Sequence, residues 1–503
     1  MNVDAIVKAA SFDLEPPSSV LPEWGRFLAE VCAADARAPA QLAHDPDGLR
    51  ATDTGVLEPF LRAARSRLAA SLVEGALSRL SDRAHRDLDD DLARELADLR
   101  ACVVYDDVAD DLRRDEWSYL LTTYPMLARL LAVRSLLWVE STAELIERLA
   151  GDSVELGDTF DRGREPGPAI AIEPALSHSR EGRRNVARVT FASGLVAIYK
   201  PRPVAMEQWF FAAIAQLNTD GLTPTLRAAA VLPRDGYGWL EHIDGDEDSS
   251  RIPGADRYAR GRPTPDEVAL PPASEHEEYL HRLGMFWCLA YVLDAADFQR
   301  DNVVRSREHP VLVDIETLMS VDLSGEGERR TAVDVGFGDS MAATCRDRAD
   351  FGRVLDGFES MYRFLLSSPA SLGRHLGALA ACETRVFLRD TRIYRTLHRR
   401  LCRAERLRSA REFRLGIDLL ARAYVHRPEG WRPLLAEERR AVAQLDVPMF
   451  RMYGRSRTLG VAHGSVVEDF VETPGIDRVR LRLARLSEAD LSAQLAAMSE
   501  AGG

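Results

Sequence analysis

The stretch DAADFQRDNVVRSREHPVLVDIET, residues 294–317, spaces oxygen donors in a chemically useful order. Asp297 is followed five positions later by Asn302, and Asp314 comes twelve positions after that. Carboxylate and carboxamide oxygens are hard ligands, suited to holding Mg²⁺ against phosphate groups. A carboxylate set apart from them can orient an attacking hydroxyl and take up its proton. Phosphoryl transfer needs little else besides neutralisation of phosphate charge, since it proceeds mostly by positioning. It does need a cation on the phosphates, and the composition points to one. Of 65 basic residues only Lys8 and Lys200 are lysine, and all the others are arginine. A compact ammonium and a planar guanidinium are not interchangeable on a phosphate. Lys8 lies in an N-terminal stretch without other signals, whereas Lys200 ends the run VARVTFASGLVAIYK.

That run alternates as two strands joined by a turn at Ser193-Gly194, so Lys200 is expected at a strand end. A helix follows at about 204–218, and YGWLEHI (237–243) reads as another strand. Asn302 and Asp314 flank two short apolar runs, NVV and VLVDIE, separated by a turn. Residues 1–168 carry apolar residues at three- and four-residue spacing and read as a helical region. Within them HRDLDDDLARELADLR is expected to be a solvated helix face. The expected organisation continues with a small antiparallel sheet over 169–243 and a Pro/Gly/acid-rich flexible loop over 244–275. A core bearing Asp297, Asn302 and Asp314 spans 276–347, and a helical region spans 348–503.

Composition excludes several classes. The net charge of -14 lacks the basic footprint of sequence-independent nucleic-acid binding. No apolar run approaches the ~20 residues of a membrane span, and no export signal is visible, which together predict a cytoplasmic protein. The six cysteines (Cys32, Cys102, Cys288, Cys345, Cys382 and Cys402) show no CxxC spacing and so neither a disulfide framework nor a zinc site.

A strand lysine, then Asp-x4-Asn, then a hairpin aspartate is the order that protein kinases use for ATP and Mg²⁺. Two usual kinase features are missing: no GxGxxG loop precedes Lys200, and Asp314-Ile315-Glu316 stands where a DFG would be. The chain is therefore not an ordinary protein kinase.

The phrases IYKPRPV, YGWLEHI, RLGMFWCLAYVLDAADFQRDN, HPVLVDIETL and LDVPMF resemble, in register from about 170 to 450, the dehydratase part of class II lanthipeptide synthetases, the LanM enzymes. The resemblance implies an α+β, kinase-like bilobal fold, a small antiparallel sheet lobe plus a helical lobe, with large helical additions at both ends. It implies phosphorylation of Ser and Thr in a leader-bearing precursor peptide, followed by elimination of phosphate to give dehydroamino acids. Lys200 matches the family's nucleotide-contacting lysine and Asp297 its catalytic-loop aspartate. Asn302, Asp314 and Glu316 match the remaining nucleotide and metal positions, for ATP and Mg²⁺. His178, Arg385 and Thr391, with Tyr394 trailing, match the positions used in elimination. The zinc cyclase that follows in LanM enzymes has no counterpart here, which implies a stand-alone dehydratase, or a chain cut before the cyclase. A separate cyclase or other tailoring partner would then complete the pathway.

Two departures stand out. Leu176 occupies the place of the family's aspartate before the histidine, and Gln299 that of its catalytic-loop histidine. Gln can donate a hydrogen bond but carries no charge. Kinase chemistry is thus better supported than elimination. A kinase that stops at the phosphoester, on a peptide or a small molecule, and a non-catalytic leader-binding scaffold are the alternatives.

Overall fold

The computed structural model describes residues 2–11, 23–35, 51–73, 75–103, 116–174, 176–177, 180–245, 273–296, 298, 302–321, 331–335, 344–461 and 464–501. His178, Asp297, Gln299 and most of the loop expected over 244–275 lie outside the described residues. The architecture is α+β, mainly helical with small antiparallel sheets. Helices α1 (Val3–Ala10), α2 (Trp24–Asp35), α3 (Ala51–Ser71), α4 (Asp82–Ala101), α5 (Glu116–Thr123), α6 (Pro125–Gly151) and α7 (Ser153–Phe160) precede strands β1 (Ala169–Glu173), β2 (Ala187–Phe191) and β3 (Val196–Lys200). Next come α8 (Ala205–Thr219), β4 (Val231–Arg234), β5 (Tyr237–Glu241), α9 (Ala273–Val292), β6 (Val303–Ser306), β7 (His309–Leu312), α10 (Arg348–Ser367) and β8 (Glu383–Val386). The longer helices α11 (Thr391–Leu401), α12 (Ala410–Ile417) and α13 (Arg432–Ala443) lead to β9 (Phe450–Tyr453), β10 (Leu459–Gly460), β11 (Val466–Val467), α14 (Gly475–Ala484) and α15 (Glu488–Ala501). Among the described residues no helix is long and apolar enough to cross a membrane.

The chain folds as two compact units, residues 1–196 with 389–448 and residues 197–388 with 449–503. The first is built round α6, whose residues Pro125–Val139 are buried on every side. An all-round apolar helix of this kind must be enclosed, and α2, α3 and α4 pack against it. Helix α4 starts where Ser81 accepts a hydrogen bond from Ala84 N at 3.2 Å, and it buries Ala84, Leu88, Leu92, Leu96 and Leu99 along one stripe. Its charged stretch is not simply a solvated face. Asp91 is buried and, with Glu95, receives the guanidinium of Arg183, while Arg134 joins Glu95 to Asp446 at 2.8 Å. Asp446 of the LDVPMF phrase also accepts Gly182 N at 2.6 Å and Arg183 N at 3.2 Å. Glu181, Gly182 and Arg183 all have positive φ, so their amides converge, and a carboxylate is the natural occupant of such a concavity.

In the second unit β5 pairs antiparallel with both β3 and β4, placing Lys200 opposite Gly238. A Cβ on Gly238 would come within 2.2 Å of Val204, so the glycine of YGW lets the turn after Lys200 pack against the strand and feed α8. Strands β6 and β7 form the expected hairpin, Val303 opposite Leu312. The region expected to be helical over 348–503 also contains a four-stranded sheet in the order β11-β10-β9-β8. Its strands are two to four residues long, and β8 pairs with β9 across some 65 residues of sequence, so no local periodicity announces them.

Helices α9 and α10 meet through paired glycines. A Cβ on Gly284 would stand 1.9 Å from the Val354 carbonyl oxygen, and one on Gly357 would stand 1.8 Å from that of His281. Backbone cannot yield as a flexible side chain does, so Gly357→Ala should destabilise this unit by about 3 kcal/mol, the upper end of overpacking costs. The midpoint of urea unfolding measures this, and a midpoint equal to wild type would mean the helices separate freely.

Candidate active site

The YKPRPVAMEQW segment folds into the centre of the site. Lys200 is the last residue of β3, and only 5% of it is exposed. Its Nζ donates to Glu207 Oε1 at 3.0 Å and to the carbonyl oxygen of Val313 at 2.6 Å. Glu207 lies in the first turn of α8, where the helix dipole favours a negative charge, and it is fully buried. Arg202 spans the same carboxylates: Nη2 lies 2.7 Å from Glu207 Oε1 and 3.0 Å from Asp314 Oδ1, and Nε lies 3.2 Å from Glu316 Oε2. Lys200 Nζ is 3.8 Å from Asp314 Oδ1.

The hairpin β6–β7 delivers the acidic residues. One position past its ladder, Val313 N donates to the carbonyl oxygen of Asn302 at 3.0 Å. Asn302 and Asp314 therefore leave the same end of the hairpin. Glu316 is buried and is reached by Arg385 of β8 through both backbone and side chain. Arg385 N donates to the Glu316 carbonyl oxygen at 2.8 Å, and its Nη1 donates to Glu316 Oε1. The guanidinium also stacks over Phe387, 4.2 Å from the ring centroid. Lys200, Asn302, Asp314, Glu316 and Arg385 thus belong to one unit.

The neighbours of Asp297 are anchored in the same unit. Ala296 N donates to Thr317 O at 3.2 Å, and Phe298, buried, donates its N–H to Val335 O at 3.3 Å. Asp297 itself and His178 are outside the described residues. Thr391 belongs to the other unit, where it opens α11 behind the capping residue Asp390. Tyr394 is buried there and donates to Glu438, which also receives Arg389 and Tyr424. Leu176 is half-buried, its N–H bonded to Val186 O at 2.9 Å.

Two residues of this centre escaped the sequence reading. Glu207 is the carboxylate that holds Lys200, and Arg202 bridges it to Asp314 and Glu316. A signal existed: Glu207 is the one charged residue of VAMEQWFFAAI, it falls among the apolar residues of the inward face, and it comes seven residues after the only lysine of the region.

The donor set suits a hard cation. Asn302 and Asp314 bring oxygen-bearing side chains to the same end of the hairpin, and the Asp314 side chain is 36% exposed. Among the described residues no group of three or more His, Cys, Asp or Glu forms a metal-holding cluster. Mg²⁺ seldom needs one, since it is usually held by one or two carboxylates together with substrate phosphates.

The matching family model covers residues 124–260, 268–345 and 349–453, nearly two thirds of the sequence. The chain belongs to the DUF4135 family. This family is described as a domain of unknown function and is associated with lantibiotic synthetase-like proteins. The site residues Lys200, Glu207, Asn302, Asp314, Glu316 and Arg385 all fall inside the DUF4135 match. No curated protein matches the chain.

Burial alone would raise the Glu207 carboxyl, but Arg202 and Lys200 outweigh it and hold it down at about 2, against 4.5 for a free glutamate. A carboxylate depressed in the folded state stabilises the fold above its unfolded value and loses that contribution as pH falls toward the folded one. The Glu207 network should therefore lose about 3 kcal/mol of stability between pH 4.5 and 2. Urea unfolding of Glu207→Gln across that range should show a shallower acid limb than wild type, and identical limbs would disprove the assignment.

Proposed function

We propose that this chain is a lanthipeptide-type dehydratase: with ATP it phosphorylates Ser and Thr of a leader-bearing precursor peptide, then eliminates phosphate to leave dehydroamino acids. The observation that carries this reading is the grip on Lys200. A lysine at a strand end, clasped by a glutamate in the first turn of the next helix and lying beside a hairpin aspartate, is the arrangement kinases use to hold nucleotide phosphates. A kinase-like bilobal fold is part of the same proposal.

Asn302, Asp314 and Glu316 would hold Mg²⁺, which supplies charge neutralisation when bound with ATP. Lys200 presents its ammonium to the phosphates, while Glu207 and Val313 O fix its direction. Asp297 orients the substrate hydroxyl and takes its proton. For elimination, Arg385 is the cation that steadies the departing phosphate by charge-assisted hydrogen bonds, and His178 and Thr391 enter the proposal through their match to the family's elimination positions. Arg385 supports this role through its buried place beside Glu316 in the network of Lys200 and Asp314. It must exchange Glu316 for phosphate to perform it.

A second reading, a peptide kinase that stops at the phosphoester, is favoured by Leu176 and Gln299, which remove a carboxylate and an imidazole from the family's set. Intact-mass analysis of a leader-bearing Ser/Thr-rich peptide incubated with enzyme, ATP and Mg²⁺ separates the two. Loss of about one water per site marks dehydration, and gain of about 80 Da marks a retained phosphate group.

Lys200→Arg should lower turnover by about 10²-fold or more despite keeping the charge, because a planar fork cannot replace a compact ammonium between Glu207 and Val313 O. Near-normal turnover would reduce Lys200 to a structural residue. Asp297→Ala should abolish phosphorylation, and full activity in that variant ends the kinase reading. Arg385→Ala should slow elimination about 10²–10³-fold, the usual loss on removing a preorganised charge stabiliser, so that phosphopeptide accumulates over dehydrated peptide. An unchanged ratio of the two products would remove Arg385 from the step.

A further inference from the structure

We infer that Arg202 is an internal counter-cation that keeps Asp314 closed to a free divalent cation and releases it only when nucleotide phosphates arrive with the metal. The inference rests on the nucleotide-binding reading above and assigns a role to a residue that reading leaves unused.

The network contains three carboxylates, Glu207, Asp314 and Glu316, and three cations, Lys200, Arg202 and Arg385. It is balanced as it stands. A divalent cation entering alone would have to displace Arg202 from Asp314 Oδ1, 3.0 Å away, and leave a net positive, half-buried site. A cation accompanied by polyphosphate brings its own negative charge, so the exchange then leaves no excess. Asp314 is the only one of the three carboxylates with substantial exposure, 36% of its side chain against 0% for Glu207 and 8% for Glu316, so it is the one that incoming ligand can reach. Arg202 also has somewhere to turn. Glu207 Oε2 is buried with no hydrogen-bond partner among the described residues, and Arg202 already donates to the other oxygen of that carboxylate. Releasing Asp314 therefore need not leave the guanidinium without an acceptor. Lys200 cannot serve as the gate, because its Nζ lies 3.8 Å from Asp314 and is committed to Glu207 and Val313 O.

Mn²⁺ binding followed by electron paramagnetic resonance, without nucleotide, tests this on the full chain. Wild type should bind weakly. Arg202→Gln should bind Mn²⁺ about ten- to a hundredfold more tightly, the range over which one ionised hydrogen-bond partner usually moves an equilibrium. The gain should vanish in Arg202→Gln/Asp314→Asn. Unchanged or weaker binding in a folded Arg202→Gln protein would make Arg202 a structural brace and overturn the inference. If that variant does not fold, Arg202→Lys decides instead. Its single ammonium retains a charge for Glu207 but cannot also hold Asp314 and Glu316, so Mn²⁺ binding should again tighten, and unchanged affinity there overturns the inference equally. Mg²⁺-ATP binding to wild type is measured alongside by calorimetry. Its absence would refute the nucleotide reading, whereas the Mn²⁺ comparison judges Arg202 by itself.

Discussion

A carboxylate with no exposure to water cannot remain ionised without close cations, and Glu207 is such a carboxylate. Lys200 and Arg202 meet it at 3.0 and 2.7 Å, and much of the site's geometry follows from that demand. The end of β3 is drawn against the first turn of α8. The remaining donor capacity of Lys200 goes to Val313 O, which brings the hairpin β6–β7 to the same place. Asp314 and Glu316 then face Arg202, and Glu316 in turn anchors Arg385 on β8. Segments separated by nearly two hundred residues of sequence are thereby held by one charge network.

The two basic residue types divide the work according to shape. Arg202 has a planar fork and touches three carboxylates, as one guanidinium can and one ammonium cannot. The same use of arginine recurs inside the first unit, where Arg134 and Arg183 join Glu95 to Asp446 and Asp91. There the convergent amides of Gly182 and Arg183 add to the grip on Asp446, fixing the turn that follows the His178 segment. Lysine is kept where a single point of charge is directed at one oxygen of Glu207 and one carbonyl. In a chain that otherwise uses arginine almost everywhere, that distinction gives the rarity of lysine a physical meaning.

Charge balance also bears on how the site would work. A buried network with equal numbers of carboxylates and cations is stable by itself and offers no preformed cage for a metal, in keeping with the absence of a three-ligand cluster among the described residues. Chemistry at such a site depends on what arrives together.

Local pattern determined much of this protein. The strand pair ending at Lys200, the helix after it, YGW as a strand and the hairpin between Asn302 and Asp314 follow from periodicity and turn residues that act over a few positions. Lys200 and Asp314 could be singled out by residue type and order, and folding places them 3.8 Å apart. Tertiary structure alone decided the partners. Nothing in the HRDLDDDLARELADLR pattern reveals that Asp91 and Glu95 turn inward to arginines, since a charged helix face looks the same whether it meets water or a buried guanidinium. The strand of Arg385 was hidden because four residues give no periodicity, and its partner β9 lies some 65 residues away. Arg202, one arginine among many, gained its role only when folding set three carboxylates around it, for a Coulombic interaction depends on distance in space and not on separation along the chain.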